Sequence, residues 1–261
     1  MRRREVITLI GGAAFAWPLA LPAQEKIRRI GVMPGSKPSD PEYQSDLIKF
    51  EQRLAELGWE GGRNIRIEYR WWAGDAGLAE TQAAELVESG MDVILAIGTP
   101  PTAALKRHTK TLPIVFTVVA DPVGAGFVQS LARPGGNITG FTTFEPAMAG
   151  KWLELLKQAA PDVRRVAAIF NPQTAPMILM PSVEAAVPSF QLELIPVPAH
   201  DAAELEHAIA NFAEQPHGSL LIFPDAFPIV HRQLILKLAS QHRLPAMYPF
   251  PFFVTDGGLM S

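Results

Sequence analysis

The chain has 261 residues, no cysteine and a formal net charge of −3, with 23 Lys and Arg residues against 26 Asp and Glu residues. The lack of cysteine excludes disulfides and thiolate metal sites, and a mildly acidic balance without a basic block argues against nucleic acid or an anionic membrane surface as a partner. The length suits one large α/β unit or two lobes that each bury a core.

Residues 1–23 have the order of an export signal. Arg2, Arg3 and Arg4 precede an apolar run from Val6 to Leu21, and Ala23 provides a small residue for cleavage. The run is about fifteen residues long, shorter than the roughly twenty that span a bilayer. We therefore expect a signal peptide that is removed after export by the Sec or the twin-arginine route. Without a cysteine to carry lipid, the expected product is a periplasmic protein that is not a lipoprotein.

The first half of the chain alternates strand and helix patterns. Apolar residues at Leu47, Phe50, Leu54 and Leu57 have helical spacing, whereas residues 64–70 alternate with period two. We predict strands at 27–33, 64–70, 92–97, 114–119 and 138–142, and helices at 46–57, 76–90 and 101–108. Continuous β-branched strands between helices are typical of a parallel sheet that is covered on both faces.

The second half repeats this alternation after a turn-rich segment at residues 133–137 and a crossover near 143–146. We predict strands at 166–170, 193–197, 219–223 and 245–248, and helices at 151–160, 182–187, 202–214 and 229–242. The predicted fold class is α/β, with two Rossmann-like lobes that contain parallel doubly wound sheets.

Candidate ligand-binding residues directly follow the predicted strands, because ligands of open parallel sheets bind beyond the carboxyl ends of the strands. These candidates are Gly35, Ser36, Thr99, Pro100, Asp121, Asn171 and Asp225. Their hydroxyl, amide and carboxylate groups suit a small zwitterion or polar acid. Each also has a purely structural interpretation: Thr99, Asn171 and Asp225 as helix caps, and Asp121 as the start of a turn. Trp71 and Trp72 either wall a pocket or pack in the core.

Other chemistries have weaker support in the sequence. Gly124 and Gly126 resemble the start of a dinucleotide fingerprint, but Gln129 stands where the third glycine belongs. There is no Walker lysine motif or nucleophile elbow, and the six histidines lack zinc-site spacing. We therefore expect no cofactor, no metal and no catalytic residues.

Several motifs in chain order resemble the ABC transporter substrate-binding family that includes tryptophan- and tyrosine-uptake binding proteins. They are Ile-Gly-Val-Met at 30–33, Glu-Tyr-Arg-Trp at 68–71, Gly-Thr-Pro at 98–100, Pro-Ile-Val-Phe at 113–116, Asp-Pro-Val at 121–123, Ala-Arg-Pro-Gly-Gly-Asn-Ile-Thr-Gly at 132–140 and Asp-Gly-Gly-Leu-Met-Ser at 256–261. The resemblance implies a type I periplasmic binding protein with a ligand between two lobes. It places Ser36, Thr99 and Asp121 on the first lobe's side and Asn171 and Asp225 on the second.

The resemblance also implies domain boundaries and partners. We expect a first lobe at 24–143, a second lobe at 144–248 and a return crossover at 249–261. The family pattern continues beyond Ser261, so the fold is expected to be truncated at its C-terminus. The implied function is capture of an aromatic or other small amino-acid-like ligand by a monomer that docks on an ABC permease in the inner membrane.

Two other functions stay open on the residues alone. An exported α/β hydrolase could use Asp121 and Asp225 as an acid and base pair, which requires that the two carboxylates lie close together and that one has a raised pKa. A sensor lobe feeding a regulatory partner is disfavoured, because no pair of DNA-binding helices precedes residue 27.

Overall fold

The computed structural model describes residues 27–261. The predicted signal peptide at 1–23 lies outside the described residues. Within residues 27–261, no helix is long and apolar enough to cross a membrane.

The first part of the described chain forms a five-stranded parallel sheet with the strand order β2-β1-β3-β4-β5. Its strands are β1 (Arg28–Met33), β2 (Ile65–Tyr69), β3 (Val93–Ile97), β4 (Ile114–Ala120) and β5 (Ile138–Phe144). Its helices are α1 (Pro41–Glu56), α2 (Ala76–Glu88) and α3 (Thr99–His108). Asp40 caps α1 by accepting hydrogen bonds from the backbone N–H groups of Glu42 and Tyr43. This helix begins five residues earlier than predicted because Asp40 and Pro41 supply its start.

The second part forms a four-stranded parallel sheet with the order β7-β6-β8-β9. Its strands are β6 (Arg165–Phe170), β7 (Glu193–Pro198), β8 (Gly218–Ile222) and β9 (Ala246–Met247). Its helices are α4 (Met148–Ala159), α5 (Met180–Ala186), α6 (Ala202–Ala213), α7 (Ala226–Val230), α8 (Arg232–Gln241) and α9 (Pro251–Thr255), with 3₁₀ turns at Met177–Leu179 and Val187–Phe190.

The predicted fold class, two parallel-sheet α/β lobes, is confirmed, and most elements lie within a few residues of their predicted bounds. Two details were wrong or missed. The single helix predicted at 229–242 is two helices, because His231 leaves the helical conformation with ψ near 18°. The short helix α9 was not predicted, and after it Met260 bridges to Met247 at the edge of the second sheet. The domain boundaries stay predictions.

Three apolar cores form within residues 27–261. Trp72, Phe116 and Ile94 belong to the core of the first sheet, whereas Phe223 and Leu220 lie in the two cores that flank the second. Ala226 of the second lobe packs into the first-lobe core. The two lobes are therefore in direct contact.

The Arg-Pro-Gly-Gly-Asn-Ile-Thr-Gly run at 133–140 has a packing role. Asn137 Nδ2 donates a hydrogen bond to the Leu112 carbonyl, which ties the turn to the start of β4. Gly140 lies opposite Phe116 in the β4–β5 ladder, and a Cβ on Gly140 would come within 2.1 Å of the Phe116 carbonyl oxygen. Only glycine fits there without moving the backbone.

We expect Gly140→Ala to lower the free energy of unfolding by about 3 kcal/mol, because the added methyl group displaces the β4 backbone. Gly150→Ala is the matched control, since no atom outside its own helix lies within 4 Å of the new Cβ and alanine favours helix. Denaturant titrations of both variants provide the comparison. Equal stabilities would contradict this role for Gly140.

Candidate functional site

A cavity of about 20 Å³ lies where the two lobes meet. Its lining comes from the segments that follow β1, β2, β3, β6 and β8, together with β4, α1, α7 and the segment before α9. The lining residues are Gly35, Tyr43, Trp72, Ile97, Gly98, Thr99, Pro100, Val118, Thr174, Pro176, Pro224, Asp225, Ala226, Ile229 and Phe250.

Sheet topology explains why these segments meet. In each sheet the strand order reverses at one point, between β1 and β3 in the first lobe and between β6 and β8 in the second. The connections from the two strands at such a point leave in opposite directions, which opens a crevice at their carboxyl ends. The two crevices face each other across the cavity.

On the first-lobe side, the ring of Trp72 is held between two glycines. A Cβ on Gly35 would lie 3.2 Å from Trp72 Cζ2, and a Cβ on Gly98 would lie 3.4 Å from the same atom. Gly98 also has φ near 109°, a conformation that favours glycine. Both strand ends therefore carry glycine where the indole packs against the backbone, and Trp72 is 1% exposed.

On the second-lobe side, Asp225 is the charged group. Its Oδ2 accepts a 2.7 Å hydrogen bond from Thr174 Oγ1, and the side chain is buried. Burial raises the pKa of Asp225 to about 7, against the opposing effects of Thr174 and of the backbone N–H groups of Phe227, Ala226 and Asn171. Those N–H groups face the carboxylate, but none meets hydrogen-bond geometry at Oδ1.

Unpartnered polar atoms are concentrated at this cavity. Among the described residues, three buried side-chain atoms have no hydrogen-bond partner: Trp72 Nε1, Gln82 Oε1 and Asp225 Oδ1. Two of the three belong to residues that line the cavity. Leaving such a group unsatisfied costs about 1–3 kcal/mol, so an N–H donor and a carboxylate acceptor are both available to a bound molecule.

The predicted site residues divide into three groups. Gly35, Thr99, Pro100 and Asp225 line the cavity. Ser36 and Asn171 are buried beside it but are used internally: Ser36 Oγ donates to Asp40 Oδ2, and Asn171 Oδ1 accepts from the Gln173 N–H group. Asp121 is outside the lining, and its Oδ1 accepts a hydrogen bond from the Gly124 N–H group.

The structure also corrects one capping assignment. Thr99 was predicted as a possible cap of α3, but Gly98 occupies the N-cap position and Thr99 is the first helical residue. The positive φ of Gly98 turns the chain directly from β3 into the helix. Pro100 lies in the first turn of α3, where its missing N–H group costs no hydrogen bond.

Sequence reasoning missed Tyr43, Thr174 and Phe250 in the lining. Thr174 lies three residues after the predicted candidate Asn171, so the position of that loop after a strand was a usable signal. Tyr43 and Phe250 come from a helix and a proline-rich segment that are distant in sequence, and no local pattern marks them. Trp71, in contrast to Trp72, does not line the cavity but packs at a tilt against Tyr69.

A wider apolar cavity of about 270 Å³ adjoins the first. The two share Tyr43, Ile97, Val118, Ile229 and Phe250 in their linings. The two cavities thus share walls, and Tyr43 and Phe250 contribute aromatic rings to both.

A buried ion pair links the lobes near this site. Arg232 at the start of α8 contacts Asp40 Oδ2 at 3.4 Å and Asp256 Oδ2 at 2.6 Å. The side chains of Arg232 and Asp40 are 8% and 9% exposed. Since Asp40 also caps α1, the pair connects the helix that carries Tyr43 to the second lobe.

Comparison with known proteins places the chain among solute-binding proteins. The family model described as ABC transporter substrate binding protein matches residues 42–261. A curated tyrosine-binding protein of Clostridioides difficile is 28% identical over 211 residues, which are 80% of this chain. The chain spans 60% of the length of that relative.

Two solved structures share the fold. A conserved domain protein from Vibrio cholerae has a TM-score of 0.80 and 28% identity, and the match covers 90% of this chain and 78% of that one. An ABC domain from Streptococcus pneumoniae, in complex with L-Trp, has a TM-score of 0.79 and 23% identity with the same coverage. The likeness extends across both lobes.

We expect the stability of the ligand-free protein to fall as the pH rises from about 4 to about 7, and to level off above about pH 7. The pKa of Asp225 is about 7 in the folded protein and 3.8 ordinarily. Between these values the folded state retains a proton that the unfolded state has lost, so the stabilisation disappears as the pH passes the folded pKa. Denaturant titrations across this range should give a shallower pH slope for Asp225→Asn. Identical slopes would contradict the raised pKa.

We expect Arg232→Met to lower the free energy of unfolding by about 3 kcal/mol, because it leaves the Asp40 carboxylate buried without its cation. It should also increase the radius of gyration measured by X-ray scattering, since the pair joins the lobes. Arg53→Met, which breaks an exposed pair with Glu56 inside α1, is the control and should cost less than about 1 kcal/mol. An unchanged radius in Arg232→Met would contradict the bridging role.

Proposed function

The chain belongs to the family of ABC transporter substrate-binding proteins, and from that premise we propose that it captures a small amino-acid-like ligand with an apolar or aromatic side chain between its two lobes. The family assignment follows from the match over residues 42–261. The two parallel α/β lobes are those of a type I periplasmic binding protein. The ligand, the partner and the location of this chain are our proposals.

The observation that carries the proposal is the buried Asp225 carboxylate in a cavity with aromatic walls. Its free Oδ1 is an acceptor for a ligand ammonium group, and a buried carboxylate gains more from a cation than from water. Tyr43, Trp72 and Phe250 supply aromatic surface around it. A tyrosine-binding relative and a neighbour in complex with L-Trp support an aromatic amino acid as the ligand.

We place the ligand head group in the inner cavity and its side chain against Tyr43 and Phe250, towards the wider apolar space. Gly35, Thr99 and Pro100 contact the head group from the first-lobe side of the cavity. Ser36 and Asn171 have supporting roles, since their polar atoms hold Asp40 and the loop after β6.

Closure of the lobes is the proposed mechanism. A cavity of about 20 Å³ holds little more than a water molecule, and small-molecule sites usually measure about 300–1,000 Å³. The lobes must therefore part to admit an amino acid, and the ligand shifts the population towards the conformation that it contacts best. Helix α1 moves with the first lobe, so breaking and remaking the Arg232–Asp40 pair accompanies each cycle.

We further propose that the protein works in the periplasm as a monomer after removal of residues 1–23, and that its closed form docks on an ABC permease in the inner membrane. The export pattern at the N-terminus and the family membership support this location. No metal or cofactor enters the proposed mechanism.

The alternative, a hydrolase that uses Asp121 and Asp225 as an acid and base pair, has less support. Asp225 does have a raised pKa. Asp121, however, does not line the cavity and uses Oδ1 to hold its own turn. Solute-binding relatives also favour binding without turnover.

Calorimetric titration of residues 24–261 with a panel of amino acids, aromatic amines and benzoate tests the proposal. We expect the tightest binding from an apolar or aromatic L-amino acid, and a loss of about ten-fold or more in affinity in Asp225→Asn, because that variant removes the charge facing the ammonium group. Asp121→Asn is the matched control and should bind normally.

Failure of every amino acid to bind folded protein would overturn the ligand class, and so would benzoate as the tightest ligand. An equal loss in Asp121→Asn would overturn the placement of the ammonium group at Asp225. Hydrolysis of a screened ester or amide, abolished by Asp121→Asn, would favour the enzyme.

A further inference from the structure

We propose that the indole N–H group of Trp72 is a ligand-binding donor, which holds a carboxylate oxygen of the ligand while Asp225 Oδ1 holds its ammonium group. This inference rests on the proposed function and assigns the second half of the head-group site. It makes Trp72 a specificity-determining residue that separates an amino acid from the corresponding amine.

The first argument is the state of the indole nitrogen. Trp72 is 1% exposed, and Nε1 has no hydrogen-bond partner within the described part of the chain. Buried tryptophan N–H groups normally find an acceptor. Trp72 lines the same cavity as Asp225, so the unpartnered indole N–H donor and the unpartnered carboxylate acceptor belong to residues around one small cavity.

The second argument is that the ring is fixed in place. Gly35 and Gly98 pack against its six-membered edge, and the Trp72 backbone N–H group donates to the Pro34 carbonyl. Ala226 of the second lobe also packs with this core. A buried indole that is packed against the backbone at Gly35 and Gly98 cannot turn its N–H group towards solvent, so we infer that a bound ligand satisfies it.

The third argument is the charge of the lining. No Lys, Arg or His occurs among the cavity-lining residues that the structure describes. The N-terminus of α3 is a poor substitute, because Pro100 and Pro101 in its first turn have no N–H group. A ligand carboxylate must therefore be held by neutral donors, and the Trp72 N–H group is the buried side-chain donor without a partner at this cavity.

The fourth argument is the complementarity of the pair. An α-amino acid carries an ammonium donor and a carboxylate acceptor on one carbon atom. Asp225 Oδ1 and Trp72 Nε1 offer an acceptor and a donor on two residues that line one cavity. An amine that lacks the carboxylate leaves the indole N–H group without a hydrogen-bond acceptor.

The test compares L-tryptophan with tryptamine, which retains the ring and the amine but lacks the carboxylate. We expect Trp72→Phe to weaken L-tryptophan binding by about ten-fold, because one hydrogen bond to a charged group is lost. Tryptamine affinity should change by less than about three-fold, since phenylalanine retains most of the aromatic surface. Trp71→Phe, next in sequence but outside the lining, should leave both affinities unchanged.

A spectroscopic measurement on the unsubstituted protein removes dependence on the folding of the variant. In ¹⁵N-labelled protein, the indole proton of Trp72 should move downfield on binding of L-tryptophan and much less on binding of tryptamine. Residues 24–261 contain four of the chain's five tryptophans, so their indole signals can be assigned by single substitutions.

The outcomes separate the two proposals. If L-tryptophan binds but Trp72→Phe weakens both ligands equally, or neither, the role of Trp72 is overturned and the proposed function stands. An unmoved indole proton in the presence of bound L-tryptophan has the same meaning. If L-tryptophan does not bind the unsubstituted protein, an aromatic amino acid as ligand is overturned, and the role of Trp72 fails with it.

Discussion

The apposition of four strand ends, two from each sheet, is the constraint on which the rest of the structure depends. Parallel strands end at one edge, and in each sheet the reversal of strand order leaves a crevice at that edge. When the lobes meet, Gly35 and Gly98 from one sheet face Asp225 and Thr174 from the other. The cavity is therefore a consequence of topology, and its chemistry depends on which residues follow those strands.

Burying polar side-chain groups at the junction between the lobes costs free energy, and this cost bears on the proposed ligand binding. Asp225 lies where desolvation raises its pKa, and its partner Thr174 satisfies only one of its two oxygens. A second unpartnered group, the Trp72 indole N–H, belongs to a residue that lines the same cavity. Natural cores rarely leave such atoms unsatisfied, so their concentration at one interlobe cavity supports the proposed binding site over ordinary packing.

Stability and motion are coupled through the same contacts. Ala226 packs against the first-lobe core, and Arg232 forms a buried ion pair with Asp40 across the interface. A buried ion pair is weak as net stabilisation because desolvation offsets most of its Coulomb energy, but it is costly to break on one side only. Such a contact favours one relative position of the lobes while permitting opening at modest cost, which suits repeated capture and release.

The sequence by itself determined the fold class, most strand positions and four of the cavity-lining residues, because hydrophobic periodicity and the position of Gly35, Thr99, Pro100 and Asp225 after strands are local signals. Tertiary structure alone decided which candidates share a cavity. Asp121 follows a strand as Asp225 does, yet its carboxylate holds Gly124 in its own turn. Tyr43 and Phe250 reach the cavity from distant segments, and only tertiary packing leaves the Trp72 N–H group without a partner among the described residues. Burial and the satisfaction of hydrogen bonds depend on contacts between residues far apart in the chain, so no local pattern encodes them.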